Sequence, residues 1–135
     1  PPMNIAFALA EVIWIINGRQ DLKFLEYWNS QLPKYVGPGP DLYGAYGYRL
    51  RHGYDGQDQL LRAYDTLKAN PESRQVVLQI WDSLTDLPWQ RGEPRDPDIP
   101  CNIVSLLKVR RGKREWAQIM RSNDAFRGLP YARFT

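Results

Sequence analysis

Two segments of the sequence carry side chains whose types could perform chemistry together. Cys101 is the single cysteine of the chain, and a neighbouring cation would raise the fraction of nucleophilic thiolate at neutral pH. The run Arg121-Ser122-Asn123-Asp124 joins a forked donor, a hydroxyl, an amide and a carboxylate, which suits recognition of a phosphate and a polar heterocycle. The competing interpretations are a buried structural cysteine and an exposed turn whose Asp124 caps a helix.

A β-hairpin is expected to bring the two segments together. Residues 103–109 and 114–121 flank a basic turn that contains Gly112, an arrangement typical of two antiparallel strands. Counting back along the ladder from this turn places Cys101 opposite Arg121 or Ser122, with side-chain carbons ~5 Å apart. The thiol would then lie next to a guanidinium group or a hydroxyl.

Glu11 and Arg74 are further candidates. Glu11 lies in the middle of a predicted helix, 5–16, that is apolar on every side and therefore expected to be buried. A carboxyl group in apolar surroundings has a raised pKa and acts as a proton donor or relay, although a structural acid satisfied by backbone or water is the alternative. Arg74 lies between a predicted helix, 59–69, and a predicted strand, where it either binds a phosphate or is a solvated charge.

The elements that must position these residues follow from periodicity and turn signals. Asn4 is expected to cap the first helix and Asn17-Gly18 to end it. The other predicted elements are a short helix (22–28), an ordered loop with two tyrosine-glycine pairs (31–54), the helix before Arg74, a central strand (76–81) and a surface connection (82–100).

Length and composition favour one globular domain. The 135 residues are 43% hydrophobic and 24% charged, which excludes disordered, collagen-like and coiled-coil chains. The longest apolar stretch, 5–16, is interrupted by Glu11 and is shorter than the ~18 residues that suggest a membrane span, so no membrane partner is expected. A net charge of +3 permits anionic ligands but does not by itself indicate nucleic-acid binding, which we do not expect.

Residue counts exclude further classes of site. One cysteine cannot form an intramolecular disulfide, which favours a reducing compartment, and we expect a cytoplasmic protein. His52 is the only histidine, so a histidine-dependent triad or a zinc cluster lacks ligands, and no metal is expected.

Five motifs in order along the chain are together far more specific than any one alone. They are Ala10-Glu11-Val12-Ile13-Trp14, Gly44-Ala45-Tyr46-Gly47, Ser73-Arg74, Ile99-Pro100-Cys101-Asn102, and Arg121-Ser122-Asn123-Asp124 continued by Gly128-Leu129-Pro130-Tyr131. In this combination the chain resembles the thymidylate synthase family, which includes pyrimidine nucleotide hydroxymethylases. The resemblance implies an α/β (α+β) fold in which helices flank a twisted mixed sheet, and a homodimer packed through that sheet. It also implies that residues 1–135 are a single domain, incomplete at both ends.

The resemblance implies transfer of a one-carbon unit from the co-substrate 5,10-methylenetetrahydrofolate to C5 of a pyrimidine nucleoside monophosphate. Cys101 would add to C6 of the ring and so make C5 nucleophilic. Glu11 resembles the family's buried acid that organises water and proton transfer, and Tyr46 resembles the tyrosine that helps to remove the C5 proton. Trp28 resembles the indole that shields the exocyclic methylene intermediate next to the folate.

The other implied roles concern the phosphate and the folate. Arg121 and Ser122 would bind the nucleotide phosphate, with Arg121 also stabilising the thiolate, and Arg74 would reach the phosphate site of the partner subunit. Asp124 and Gly128 match positions that contact the pterin, and Asp124 is also placed in the nucleotide site.

Four positions depart from the family's pattern. Ala132, in the nucleotide site, stands where thymidylate synthases carry an asparagine and deoxycytidylate hydroxymethylases an aspartate, so uracil and cytosine both stay open. Gln75 replaces a second arginine, Asn102 a histidine and Met120 a glutamine. The functions that stay open are a transferase with a methyl or hydroxymethyl product, a hydroxymethylase for CMP or dCMP specifically, and a catalytically silent nucleotide-binding dimerisation module.

Overall fold

The computed structural model of the chain describes residues 4–89 and 92–121. Its helices are α1 (Ile5–Ile16), α2 (Leu22–Trp28), α3 (Pro33–Val36), α4 (Tyr46–Tyr48), which continues into a π-helical turn (Arg49–Gly53), α5 (Gln59–Ala69) and α6 (Ser83–Asp86). Its strands are β1 (Val77–Gln79), β2 (Asn102–Arg110) and β3 (Lys113–Met120). The expected combination of helices and sheet is confirmed, and the described sheet is antiparallel.

The first helix begins and ends where the sequence predicts. Asn4 Oδ1 accepts a hydrogen bond from the Phe7 N–H at 3.0 Å, so the side chain satisfies a donor that has no partner inside the helix. The helix ends at Ile16, Asn17 caps it, and Gly18 follows with a φ of +66°. Glycine adopts this left-handed conformation without the steric cost that a side chain adds.

The exposure of α1 contradicts its predicted burial. Ala10 and Trp14 are buried, but five apolar residues of the helix are each more than half exposed: Ile5, Leu9, Val12, Ile13 and Ile16. Glu11 is exposed as well. The prediction is wrong for the described residues because α2 and α4 pack against only one side of the helix. A helix that is apolar all round normally has neighbours on every side.

The sheet has the order β1-β2-β3, and its hairpin has the predicted register. Val109 pairs with Arg114, which is one of the two expected pairings. The turn residues Arg111 and Gly112 have φ values of +51° and +72°. Positive φ at both central residues is the type I′ geometry, whose twist matches that of a hairpin.

The strand predicted to be central is an edge strand of the described sheet. β1 pairs with β2 alone, and along β1 Leu78 is buried between the exposed residues Val77 and Gln79. One face of β1 is therefore only partly covered. Leu78 packs with Val76 and Ile80 in a core cluster that α5 and the π-helical turn complete.

Two stretches predicted as loops contain helical turns. Residues 31–54 include α3, α4 and the π-helical turn, and residues 82–100 include α6. The predicted surface connection 82–100 also contributes two buried residues, Asp86 and Pro100. The tyrosine-glycine pattern has a packing reason, since a Cβ atom at Gly47 would collide with the Ile15 backbone of α1.

Candidate functional site

Cys101 lies immediately before β2, opposite Arg121 across the hairpin. The Arg121 N–H donates to the Cys101 carbonyl oxygen at 2.8 Å, which continues the ladder one position beyond the pair of Asn102 and Met120. Cys101 is exposed, so its thiol is open to a ligand. Arg121, one of the two predicted neighbours, is opposite Cys101 because a bulge between Asn102 and Val104 shifts the pairing by one residue.

The Arg121 side chain reaches across to the segment that precedes Cys101. Its guanidinium group donates to the carbonyl oxygens of Pro100 at 3.1 Å and Ile99 at 2.9 Å. These carbonyls are strong acceptors at fixed positions, so Arg121 anchors the backbone beside the cysteine. The hydrogen bonds described for its guanidinium group go to backbone oxygens rather than to the thiol.

Tyr46 belongs to the same site. The Asn102 N–H donates to the Tyr46 hydroxyl oxygen at 3.3 Å, across a separation of 56 residues. Burial raises the pKa of Tyr46, and negative charge on the neighbouring Cys101 would raise it further, whereas hydrogen bonds from the Asn102 and Cys101 backbone oppose these effects. The phenol is therefore held in its neutral form beside the thiol at neutral pH.

Gly44 and Asp98 hold the Tyr46 loop against the segment before Cys101. The Gly44 N–H donates to Asp98 Oδ2 at 2.9 Å, and a Cβ atom at Gly44 would lie 2.6 Å from the Asp98 carbonyl oxygen. Burial raises the pKa of Asp98, and the charge of Asp96 adds to this effect, while the Gly44 N–H and the charge of Arg49 oppose it. This close approach is possible only because residue 44 lacks a side chain.

A buried ion pair fixes the other end of the same loop. Arg49 donates to both carboxylate oxygens of Asp86, at 2.6 and 2.9 Å, and to the carbonyl oxygens of Ile80 at 2.9 Å and Tyr43 at 3.1 Å. The Asp86 side chain is 0% exposed and that of Arg49 10% exposed. Burial alone would raise the pKa of Asp86, but the Arg49 hydrogen bonds, a backbone N–H and the Arg49 charge hold it below its ordinary value. A bidentate pair of this kind sets the orientation of the loop that carries Tyr46.

The other predicted site residues that the structure describes make no hydrogen bond with Cys101 or Tyr46. Although Glu11 is exposed, partial burial of its carboxyl group raises its pKa. Trp28 is the last residue of α2, is 40% exposed and makes an edge contact with Tyr27. Arg74 is exposed in the link between α5 and β1. The predictions for Ser122, Asp124, Gly128 and Ala132 fall outside the described residues.

Sequence reasoning missed the residues that support the site. Arg49, Asp86 and Asp98 carry no local pattern that distinguishes them from surface charges. Asn102 had one signal, because it departs from the family's pattern directly after the cysteine.

A cavity of about 430 Å³ is lined in part by Arg49. Its lining also includes three tyrosines and three acids, but neither Cys101 nor Tyr46. The candidate site is therefore at the open edge of the hairpin and not in this cavity. Among the residues that the structure describes, no helix has both the length and the apolar character needed to cross a membrane.

Comparisons with known proteins find similarity over nearly the whole chain. A family model described as thymidylate synthase matches residues 2–135. A deoxyuridylate hydroxymethyltransferase of Bacillus phage SP01 is 34% identical over 131 residues, covering 90% of this chain and 33% of the relative. A deoxyuridylate hydroxymethyltransferase of Pseudomonas phage M6 is 32% identical over 126 residues, covering 93% of this chain and 34% of the relative. The chain thus spans about a third of the length of the curated relatives that it matches.

Proposed function

The chain belongs to the thymidylate synthase family, and on this premise we propose that it carries the nucleophile of an enzyme that hydroxymethylates C5 of a pyrimidine nucleoside monophosphate. The observation that supports this most is the exposed Cys101 thiol, held one rung beyond β2 beside the Tyr46 hydroxyl and opposite Arg121. The names of both phage relatives favour a hydroxymethyl product and a deoxyuridylate substrate.

The proposed chemistry begins with a bond from Cys101 Sγ to C6 of the pyrimidine ring. The ring electrons shift to C5, which then bonds the one-carbon unit that the co-substrate methylenetetrahydrofolate supplies. Tyr46 lies next to Cys101, where its neutral hydroxyl can take up the C5 proton on its oxygen while it passes its own proton to water. As the C5 proton is removed, the bond between the transferred carbon and the folate nitrogen breaks, so that tetrahydrofolate leaves and an exocyclic methylene remains at C5. Water then adds to this carbon and loses a proton to solvent, and as the ring electrons return, the Cys101 thiolate leaves C6.

Arg121 has a positioning role in this proposal as well as the predicted phosphate contact. Its bonds to Ile99 and Pro100 use two directions of the guanidinium fork, and a guanidinium group carries five N–H donors in all. Donors therefore remain for an anionic ligand while the arginine anchors the backbone before Cys101. Ser122, Asp124, Gly128 and Ala132 complete the nucleotide and folate contacts as proposed residues.

We also propose that the active enzyme is a homodimer in which Arg74 binds the phosphate in the partner's site. Arg74 is exposed, so it is free to extend from its own subunit. The outer sheet face supports the dimer, because Val77 and Ile119 lie on it with 47% and 53% exposure. Glu11 and Trp28 retain their proposed roles in proton transfer and in shielding the reacting carbon.

Release of tritium from C5-labelled nucleotides tests the proposed function. The complete polypeptide that contains this chain is incubated with methylenetetrahydrofolate and labelled dUMP, dCMP or CMP. We expect release from dUMP and a product whose mass matches the hydroxymethyl derivative. Cys101→Ser should reduce the rate by ~10³-fold or more, whereas Lys108→Ala, on the adjoining strand β2, should leave it unchanged.

Other outcomes identify the alternatives. A product with the mass of the methyl derivative would replace hydroxymethylation by methylation. Release from dCMP or CMP alone would assign the substrate to cytosine nucleotides. Binding of the nucleotides without release from any of them would favour a catalytically silent dimerisation module.

A further inference from the structure

The side-chain amide of Asn102 has one bonded end and one unpaired end. The residue is 1% exposed, and its Nδ2 donates to Ser105 Oγ at 3.2 Å. Its Oδ1 is buried and has no hydrogen-bond partner among the described residues. Because an unpaired buried acceptor is costly, such an atom normally binds a water molecule or has a functional role.

A bulge in β2 explains why this amide faces inward. The regular pairing is interrupted between Asn102 and Val104, so the alternation of faces shifts at this point. Asn102 can then bond to Ser105 on the inner side of the sheet, where Leu107 packs against the core. A bulge that redirects one side chain is common next to active sites.

The Tyr46 hydroxyl is the complementary group. Tyr43 and Tyr54 donate their hydroxyl protons to carbonyl oxygens. Tyr46 instead accepts from the Asn102 N–H, and no acceptor among the described residues receives its proton. The Tyr46 hydroxyl, whose proton is unpaired, therefore contacts the backbone of Asn102, the residue that carries the unpaired acceptor Oδ1.

Both unpaired groups lie at one residue. The Tyr46 hydroxyl oxygen lies 3.3 Å from the Asn102 nitrogen, and Oδ1 belongs to the side chain of that same residue. A water molecule with two hydrogen bonds of ~2.8 Å joins groups up to ~5.6 Å apart. One water that accepts from the hydroxyl and donates to the amide oxygen would satisfy both groups.

We propose that Asn102 is a positioning residue for Tyr46. Its buried Oδ1 accepts a hydrogen bond from a bridging water molecule, and this water accepts a hydrogen bond from the Tyr46 hydroxyl group. The hydroxyl is then held with one lone pair towards the Asn102 N–H and the other towards the ligand side of Cys101. The role in catalysis rests on the proposed function, whereas the bridge itself does not.

A double-mutant cycle on stability tests the bridge without any assay of activity. The equilibrium constant for unfolding is measured for wild type, Asn102→Leu, Tyr46→Phe and the double variant. We expect the change in the unfolding equilibrium constant of the double variant to differ from the product of the two single changes by about twofold to tenfold, which corresponds to the free energy of one hydrogen bond. Val104→Ala, on the opposite face of β2, should combine with Tyr46→Phe without such a factor.

If the effects of Asn102→Leu and Tyr46→Phe on the unfolding equilibrium constant simply multiply, so that the coupling factor is one, the proposed bridge is wrong. If Asn102→Leu does not fold, Asn102→Ala replaces it in the same cycle, and circular dichroism verifies the fold of each variant. Because this arm needs no substrate, it decides on the bridge even if no nucleotide is turned over and the proposed function fails.

The kinetic arm tests the positioning role. We expect Asn102→Leu to lower kcat about tenfold and to change KM by less than about twofold, since the residue acts on the proton step and not on nucleotide binding. In the Tyr46→Phe background, the same substitution should change kcat by less than about twofold. An equal loss in both backgrounds, or a change in KM alone, would contradict the positioning role.

Discussion

Loss of the Asp86 carboxylate should destabilise the protein severely and disturb the site at a distance. The carboxylate is 0% exposed, and it accepts two hydrogen bonds from Arg49 and one from the Asp82 N–H at 2.7 Å. In Asp86→Ala the guanidinium group would keep only its bonds to two carbonyl oxygens, with its charge buried and uncompensated. Removal of one partner of such a pair costs about 3–5 kcal/mol, a large share of the ~5–15 kcal/mol that stabilises a typical domain.

The assay is denaturant unfolding followed by tryptophan fluorescence, with two matched variants. Asp86→Asn keeps the shape and some hydrogen bonds but not the charge, and we expect it to cost about 2 kcal/mol. Glu115→Ala breaks an exposed ion pair, in which the side chains of Glu115 and Arg110 are 46% and 63% exposed. We expect this variant to lose at most about 1 kcal/mol of unfolding free energy. If Asp86→Ala and Glu115→Ala cost the same, Asp86 does not act as a buried counter-ion.

The pH dependence of this effect has a defined sign. Because the pKa of Asp86 in the folded protein lies below its ordinary value of 3.8, the ion pair stabilises the protein above that value. This contribution is lost as the pH falls from 3.8 through the lower folded pKa. The difference in unfolding free energy between wild type and Asp86→Ala should therefore shrink in that acidic range, and a constant difference would refute the linkage.

Three further predictions concern the loop and the first helix. Gly44→Ala should cost about 1–3 kcal/mol of unfolding free energy by overpacking, because its Cβ would lie 2.6 Å from the Asp98 carbonyl oxygen, whereas Gly39→Ala, with its nearest contact at 3.5 Å, should be near neutral. At pH values above the ordinary pKa of the carboxyl group, Glu11→Gln should raise the midpoint temperature of thermal unfolding, and at lower pH it should not. The reason is that the pKa of Glu11 is raised in the folded protein, so that ionisation opposes folding; a gain at low pH alone would contradict this. Asn4→Ala should cost about 1 kcal/mol in denaturant unfolding through loss of its cap to Phe7, and an unchanged midpoint would show that the cap contributes nothing.

Local signals predicted the parts of the structure that depend on neighbouring residues. Capping residues gave the bounds of α1, and the alternation of strand residues with a glycine turn gave the pairing of Val109 with Arg114. Both features are decided within a few residues of chain, where periodicity and turn chemistry act directly. The bulge between Asn102 and Val104, which was not predicted, then sets Cys101 opposite Arg121.

Contacts between distant residues could not be predicted in this way. Arg49 and Asp86 are separated by 37 residues, and neither has a sequence context that identifies it as buried. The hydrophobic pattern of α1 indicated burial, but the structure shows which side α2 and α4 cover and which side they leave exposed. Of the candidate site, the pairing next to the hairpin turn was predictable, whereas the roles of Gly44, Asp98 and the Asn102 amide required tertiary structure.

The most direct test of the central claim is the mass of a covalent complex between Cys101 and a nucleotide. In 5-fluoro-dUMP the fluorine cannot leave C5 as a proton does, so a nucleophile bonded to C6 stays attached once the one-carbon unit has been transferred. We predict that the complete polypeptide, with methylenetetrahydrofolate and this analogue, gains the mass of both ligands and that fragmentation locates the adduct on Cys101. An unmodified Cys101 peptide under these conditions, or an adduct of the same yield in Cys101→Ala, would contradict the account.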